Sequence, residues 1–139
     1  MRKLLLGFYS LLLLAGCDCT KKPPPAVVED LLVQIMTDGE WSITNFTVNS
    51  SVFTPEYAGW RFKFYNNKTV DAKLNGTVTY TGTWDGSSTT MTFTASFPGA
   101  TTPVDRIVGT WNVSASGSRI VDGTMTVGTT VKVMKLYRE

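Results

Sequence analysis

From Trp60 onward the chain alternates residue by residue between large apolar side chains and small polar ones. Trp60, Phe62 and Phe64 alternate with Arg61 and Lys63, and Val70, Ala72 and Leu74 with Asp71 and Lys73. Val78, Tyr80, Gly82 and Trp84 alternate with Thr77, Thr79, Thr81 and Thr83, and Met91, Phe93, Ala95 and Phe97 with Thr90, Thr92, Thr94 and Ser96. Trp111, Val113 and Ala115 alternate with Thr110, Asn112 and Ser114. A period of two places every apolar group of a run on one face of a strand, and β-branched threonine suits the solvated face. Such a chain folds as sheet with one wet face, which is an antiparallel arrangement.

Short turns confirm the direction of the pairing. Asn75-Gly76 accepts the positive φ of a type I′ hairpin, and Asn66-Asn67, Asp85-Gly86, Gly117-Ser118 and Gly128 mark further reversals. Links this short cannot carry parallel crossovers. The pattern predicts about eight strands, near 40–48, 59–65, 69–74, 77–84, 89–97, 109–116, 119–127 and 130–138. Two of them break phase: apolar positions slip between Ile43 and Phe46, and Val131 and Val133 alternate against Met134 and Leu136. A bulge or burial on both faces is expected there. Eight antiparallel strands in a meander remove their exposed edges by closing. The expected fold is all-β, a small antiparallel up-and-down β-barrel with a short N-terminal helix; a two-sheet β-sandwich is the alternative.

That helix is read over 26–37. Val28, Leu31, Leu32 and Ile35 fall at i, i+3, i+4 and i+7, Pro25 precedes the run and Asp38-Gly39 ends it. At about three turns it is too short to stand alone in water, so it must lie on the sheet.

The first residues are of another kind. Arg2 and Lys3 precede an apolar run from Leu4 to Leu14, and small residues lead to Cys17. Charge, apolar core and small-residue junction are the parts of a secretory signal, and the run is too short to span about 30 Å of hydrocarbon. Leu14-Ala15-Gly16-Cys17 resembles the lipobox of bacterial lipoproteins. The resemblance implies cleavage after Gly16, diacylglycerol on the Cys17 thiol and acylation of the new amino terminus, palmitate being a typical chain. Residues 1–16 are then the signal peptide, 17–25 a lipidated Pro-rich tether and 26–139 the domain. Pro23 to Pro25 favour polyproline II, and eight residues of tether reach on the order of 25 Å. The expected location is the envelope of a Gram-negative bacterium, anchored to the outer membrane in preference to the inner. Asp18 after the cysteine would favour the inner membrane under the enterobacterial sorting rule, which other lineages do not follow.

Removal of the signal also resets the charge. Of 13 basic side chains Arg2 and Lys3 are lost, leaving 11 against 11 acidic ones. A neutral domain without clustered Lys and Arg has no nucleic-acid footprint. With Cys17 alkylated, Cys19 is the one thiol left, so the fold must stand without an internal disulfide.

The domain resembles lipocalin-like domains of bacterial lipoproteins. Gly39-Glu40-Trp41 opens the first strand after a short helix, and Arg138 ends the last. In the lipocalin family the tryptophan of G-x-W plugs the closed end of the barrel and a late arginine packs over it. The resemblance assigns these parts to Gly39, Trp41 and Arg138. G-x-W recurs at Gly82-Thr83-Trp84 and Gly109-Thr110-Trp111, so the motif is short and repeated, and those copies also resemble avidin-like barrels. The family's loop lidding the open end corresponds to 49–59, which carries Phe53 and Tyr57.

No histidine is present in the chain, which removes the commonest general base and the commonest zinc ligand. No phosphate loop, dinucleotide fingerprint or cysteine cluster occurs, and the carboxylates are scattered singly. No catalytic residue, metal or cofactor is therefore assigned, and the chain is not expected to be an enzyme. Five N-x-[ST] sequons are incidental beside a bacterial lipobox. Two non-catalytic readings remain. One is a carrier of a small apolar molecule, lined by Phe62, Phe64, Tyr80, Trp84, Phe93 and Trp111. The other is an interaction or scaffold module of an envelope assembly whose barrel is filled by those same rings. Apart from the membrane, no protein partner is identified.

Overall fold

A computed structural model describes residues 30–139, which form helix α1 (Leu31–Thr37) and strands β1 (Trp41–Val48), β2 (Ser51–Val52), β3 (Trp60–Phe64), β4 (Thr69–Leu74), β5 (Thr77–Ser87), β6 (Thr92–Ser96), β7 (Gly109–Ser116), β8 (Ile120–Val127) and β9 (Thr130–Arg138). Neighbours in sequence pair antiparallel from β3 to β9, and β9 returns to β1 from Trp41↔Arg138 to Val48↔Lys132. Eight strands thus close into a barrel, and β2 is an extra two-residue strand on the edge of β1. The sandwich alternative is set aside by the β1–β9 closure.

Closure is uneven around the ring. β1 meets β3 through a single register pair, Trp41↔Phe62, after which the two strands separate. The gap is bridged by the 49–59 segment: the amide of Phe53 donates to the Phe46 carbonyl at 2.8 Å, and the Phe46 amide to Thr54 Oγ1 at 2.9 Å.

The expected phase break in β1 is a bulge at Thr44, between Ile43↔Leu136 and Asn45↔Lys135. It lets both Ile43 and Phe46 point inward. β9 has no bulge against β8: Met134 and Leu136 face the core, Val131 is exposed and Val133 partly buried. Two further bulges were not visible in the alternation. One at Thr79 turns Val78 out to solvent, and one at Ser114 turns Ala115 out. The apolar faces expected of those two runs are therefore each shorter by one residue.

α1 is capped by Asp30, whose carboxylate accepts from the amides of Leu32 (2.9 Å) and Val33 (3.4 Å). Its buried face is Leu32, Val33 and Met36. This corrects the expected face: Leu31 is 61% exposed, Ile35 is only partly buried, and Val28 lies outside the described residues. Positions 26–29 of the expected helix, like the signal, Cys17 and the tether, also lie outside them.

The barrel has two distinct ends. The helix end gathers Asp30, α1, the end of β9 and the turns at 65–68, 88–91 and 117–119. The loop end gathers the 49–59 and 97–108 segments and the turns at 75–76 and 128–129.

Candidate functional site

The lumen and its two mouths are where a small barrel would hold a ligand. The inward faces of β1 and β3–β9 form one cluster of buried side chains with α1 and the loop-end segments. Phe46 lies 4.9 Å from Tyr57 and 6.0 Å from Trp111 between ring centroids, and Trp111 stacks on Phe93 at 6.3 Å. Toward the helix end Phe64 meets Trp84 edge to face at 5.1 Å, and toward the 97–108 segment Phe62 meets Phe97 at 6.2 Å.

The six expected lining residues are thus distributed among several ring contacts. Phe62, Phe64, Trp84, Phe93 and Trp111 are buried. Tyr80 is only partly buried; it stacks on Trp60 at 6.1 Å and its hydroxyl meets Thr101 Oγ1 at 2.9 Å near the loop end. Phe93 and Trp111 are brought together, as are Phe64 and Trp84, while Phe62 and Tyr80 meet rings outside the six, Phe97 and Trp60.

Each indole of the three G-x-W copies satisfies its N–H on a backbone carbonyl. Trp41 donates to Met36 at 2.9 Å, Trp84 to Tyr65 at 2.9 Å and Trp111 to Ile107 at 2.8 Å. Buried indoles need such a partner. Trp41 therefore ties the last turn of α1 to β1. Gly39 sits between them at φ +83°, and a Cβ there would fall 2.9 Å from Arg138 Cδ. The Arg138 stem lies over Gly39, its guanidinium pairs with Asp38, and its backbone is the register partner of Trp41. Lys63 completes the junction, donating to the carbonyls of Thr37 (3.3 Å) and Gly39 (3.0 Å).

The helix end is closed by α1, whose Leu32 lies 3.7 Å from where a Cβ on Gly86 would stand. The loop end is closed by two 3-10 turns, Thr54–Tyr57 and Val104–Ile107. Tyr57 is 2% exposed and donates to the Pro103 carbonyl at 2.9 Å, and burial raises the pKa of its hydroxyl. Val104 and Ile107 are buried beneath. Arg106 lies 4.3 Å over the Phe53 ring and pairs with Glu56 at 2.7 Å, and Lys132 donates to the Arg106 carbonyl at 3.0 Å. The 49–59 loop therefore caps the mouth with Tyr57 turned inward, and Phe97 is likewise core.

Sequence reasoning missed Phe46 and Tyr57 as the centre of the loop-end packing, and Val104 and Ile107 as its floor. Phe46 lies past the β1 bulge, where the alternation changes phase, and Tyr57, Val104 and Ile107 are isolated apolar residues in short 3-10 turns, which carry no periodicity by which to find them.

A partly open depression of about 130 Å³ at the β5–β6 hairpin is lined by Asp85, Gly86, Ser87, Thr92, Phe93 and Thr94. The Lys68 ammonium at 2.8 Å, then the Gly86 amide, hold the Asp85 carboxyl below its ordinary pKa. Among the described residues no group of three or more His, Cys, Asp or Glu is placed to hold a metal ion.

No protein-family model matches the chain, and no curated protein matches it in sequence. Among solved structures it is similar to the crystal structure of a DUF4847 family protein from Bacteroides vulgatus. The TM-score is 0.54 over 78% of this chain and 97% of that one, at 11% sequence identity. The likeness is one of fold, a small antiparallel barrel.

Proposed function

We propose that the chain is a lipid-anchored lipoprotein of the bacterial envelope whose lipocalin-like barrel is a non-catalytic interaction module, working through its outer surface. One observation carries this: the lumen is occupied by packed rings while α1 and the two 3-10 turns stopper both mouths. Protein interiors packed in this way leave no room for a guest without displacing side chains. The anchor rests on Leu14-Ala15-Gly16-Cys17 and supplies the membrane partner; the outer membrane is the preferred address.

Native mass spectrometry of residues 18–139, produced without the signal and Cys17, tests the filled barrel. A single mass equal to the polypeptide, with no uptake of an environment-sensitive hydrophobic dye, is the expected result. A co-purified lipid would favour the carrier reading, with Phe62, Phe64, Tyr80, Trp84, Phe93 and Trp111 as its lining. Metabolic labelling with an alkynyl fatty acid tests the anchor: the native chain takes the label and Cys17→Ser does not.

A further inference from the structure

Resting on the lipid-anchor reading above, we infer that the barrel stands on the bilayer by its helix end, with Leu31, Met91 and Ile120 in contact with the lipid surface. The tether fixes which end is near. Asp30 is held to the 88–91 turn, its two carboxylate oxygens accepting from the Ser88 amide at 3.0 and 2.8 Å. The chain therefore leaves the barrel at the helix end and is bonded there. Twelve residues separate Cys17 from Asp30, a reach of about 40 Å fully extended. A strand of β9's length rises about 30 Å before tilt, so turning the loop end to the membrane would use most of that reach along the barrel wall.

The helix end also presents what an interface accepts. Leu31 is 61% exposed at the first position of α1, Met91 37% in the β5–β6 turn, and Ile120 42% beside the β7–β8 turn. Leu31 is the apolar residue that helical periodicity assigned to the buried face, and it has turned away from the core. Exposed Arg119 lies on a turn of the same end, where it can meet anionic headgroups. Three apolar side chains bind a membrane weakly on their own. Tethering makes the contact intramolecular at a high effective concentration, so a weak contact suffices to set orientation. The loop end has exposed valines too, Val52 and Val127 among them, but they stand about a strand's length farther from Asp30, where the tether joins. The Thr-rich outer walls of β5–β7 then stand upright from the membrane, free for a partner.

The experiment uses full-length lipidated protein carrying Cys19→Ser, so that an introduced cysteine is the labelling site. A fluorophore is placed at Met91→Cys, Ile120→Cys, Val52→Cys or Val127→Cys, in phosphatidylethanolamine–phosphatidylglycerol vesicles containing a headgroup-nitroxide lipid. Emission from positions 91 and 120 should be quenched several-fold more than from 52 and 127. Adding Leu31→Glu should narrow that difference with little change in thermal unfolding, since Leu31 is 61% exposed. Protein that floats with the vesicles but is quenched equally at all four positions, or more at 52 and 127, overturns the orientation and leaves the anchor standing. A full difference retained with Leu31→Glu overturns the apolar contact. Protein that does not float overturns the anchor and the orientation with it.

Discussion

Asp30 shows how much one side chain can join. Its carboxylate caps α1 through Leu32 and Val33 and clamps the 88–91 turn through Ser88. Burial opposes its charge, but the hydrogen bonds from Ser88, Val33 and Leu32 outweigh that and lower its pKa. A carboxyl lowered on folding contributes stability that is complete above its unfolded value, near pH 4. That contribution is lost as pH falls through the folded value. Asp30→Ala should cost about 1–2 kcal/mol at pH 7, as a lost N-cap does. The difference from the native chain should shrink in urea titrations carried progressively below pH 4. At the α1–β1 junction, Trp41→Ala should cost about 3–5 kcal/mol because the indole is fully buried. The Arg138 guanidinium reaches Asp38, an exposed carboxylate, so that pair should contribute no more than about 1 kcal/mol in a double-mutant cycle. Arg138 should instead show its coupling to Gly39, whose missing Cβ is what the arginine stem occupies. Gly39→Ala combined with Arg138→Ala should then be less damaging than the sum of the two.

At the scale of elements, what was legible followed the alternation. Every expected strand of the barrel is present, with the bulge at Thr44 where the phase slipped. The bulges at Thr79 and Ser114 were silent, because threonine and serine continue an alternating pattern whether or not one residue is skipped. The helix face was misplaced because Leu31, Leu32 and Val33 are three apolar residues in a row. Periodicity cannot rank them; the tie from Trp41 to Met36 and the cap at Asp30 do, turning Leu32, Val33 and Met36 inward. The rings named as a lining were correctly placed on inward faces, but their use was illegible. Whether an inward ring lines a space or fills it depends on Tyr57, Val104 and Ile107, which lie in irregular segments. Those plugs make a prediction. Tyr57→Phe leaves the Pro103 carbonyl without its buried donor and should cost about 1–3 kcal/mol. Tyr57→Ala removes the plug itself, and should turn a barrel that excludes hydrophobic dye into one that admits it at the loop end. Dye fluorescence against both variants separates the hydrogen bond from the stopper.

For the whole molecule, the ring is as strong as its β1–β3 junction. β1 is sewn to β9 along its length, yet joined to β3 by Trp41↔Phe62 alone. Beyond that pair the wall is completed by a loop. Its hold on β1 is the Phe53 amide on the Phe46 carbonyl, the Thr54 hydroxyl on the Phe46 amide and the two-residue β2 pairing. No internal disulfide limits opening, since Cys17 and Cys19 are the only cysteines and both precede the described barrel. Local opening follows the segment with the fewest cooperative hydrogen bonds, so the barrel should breathe at this seam before any hairpin of β4–β9 separates. Native-state hydrogen exchange is the measurement: amides of Phe46 and Phe53 should exchange through a sub-global opening, while inward amides of β8 and β9 exchange only on global unfolding. Thr54→Val keeps the shape of the side chain but deprives the Phe46 amide of its acceptor. It should speed exchange at 46 and 53 selectively, by the factor of about 10 that corresponds to one lost buried hydrogen bond, and leave β8 and β9 at the rate set by the smaller global change. Uniform acceleration around the ring would mean that the seam opens only with the whole barrel, and that the 49–59 segment is part of its wall in the same cooperative unit.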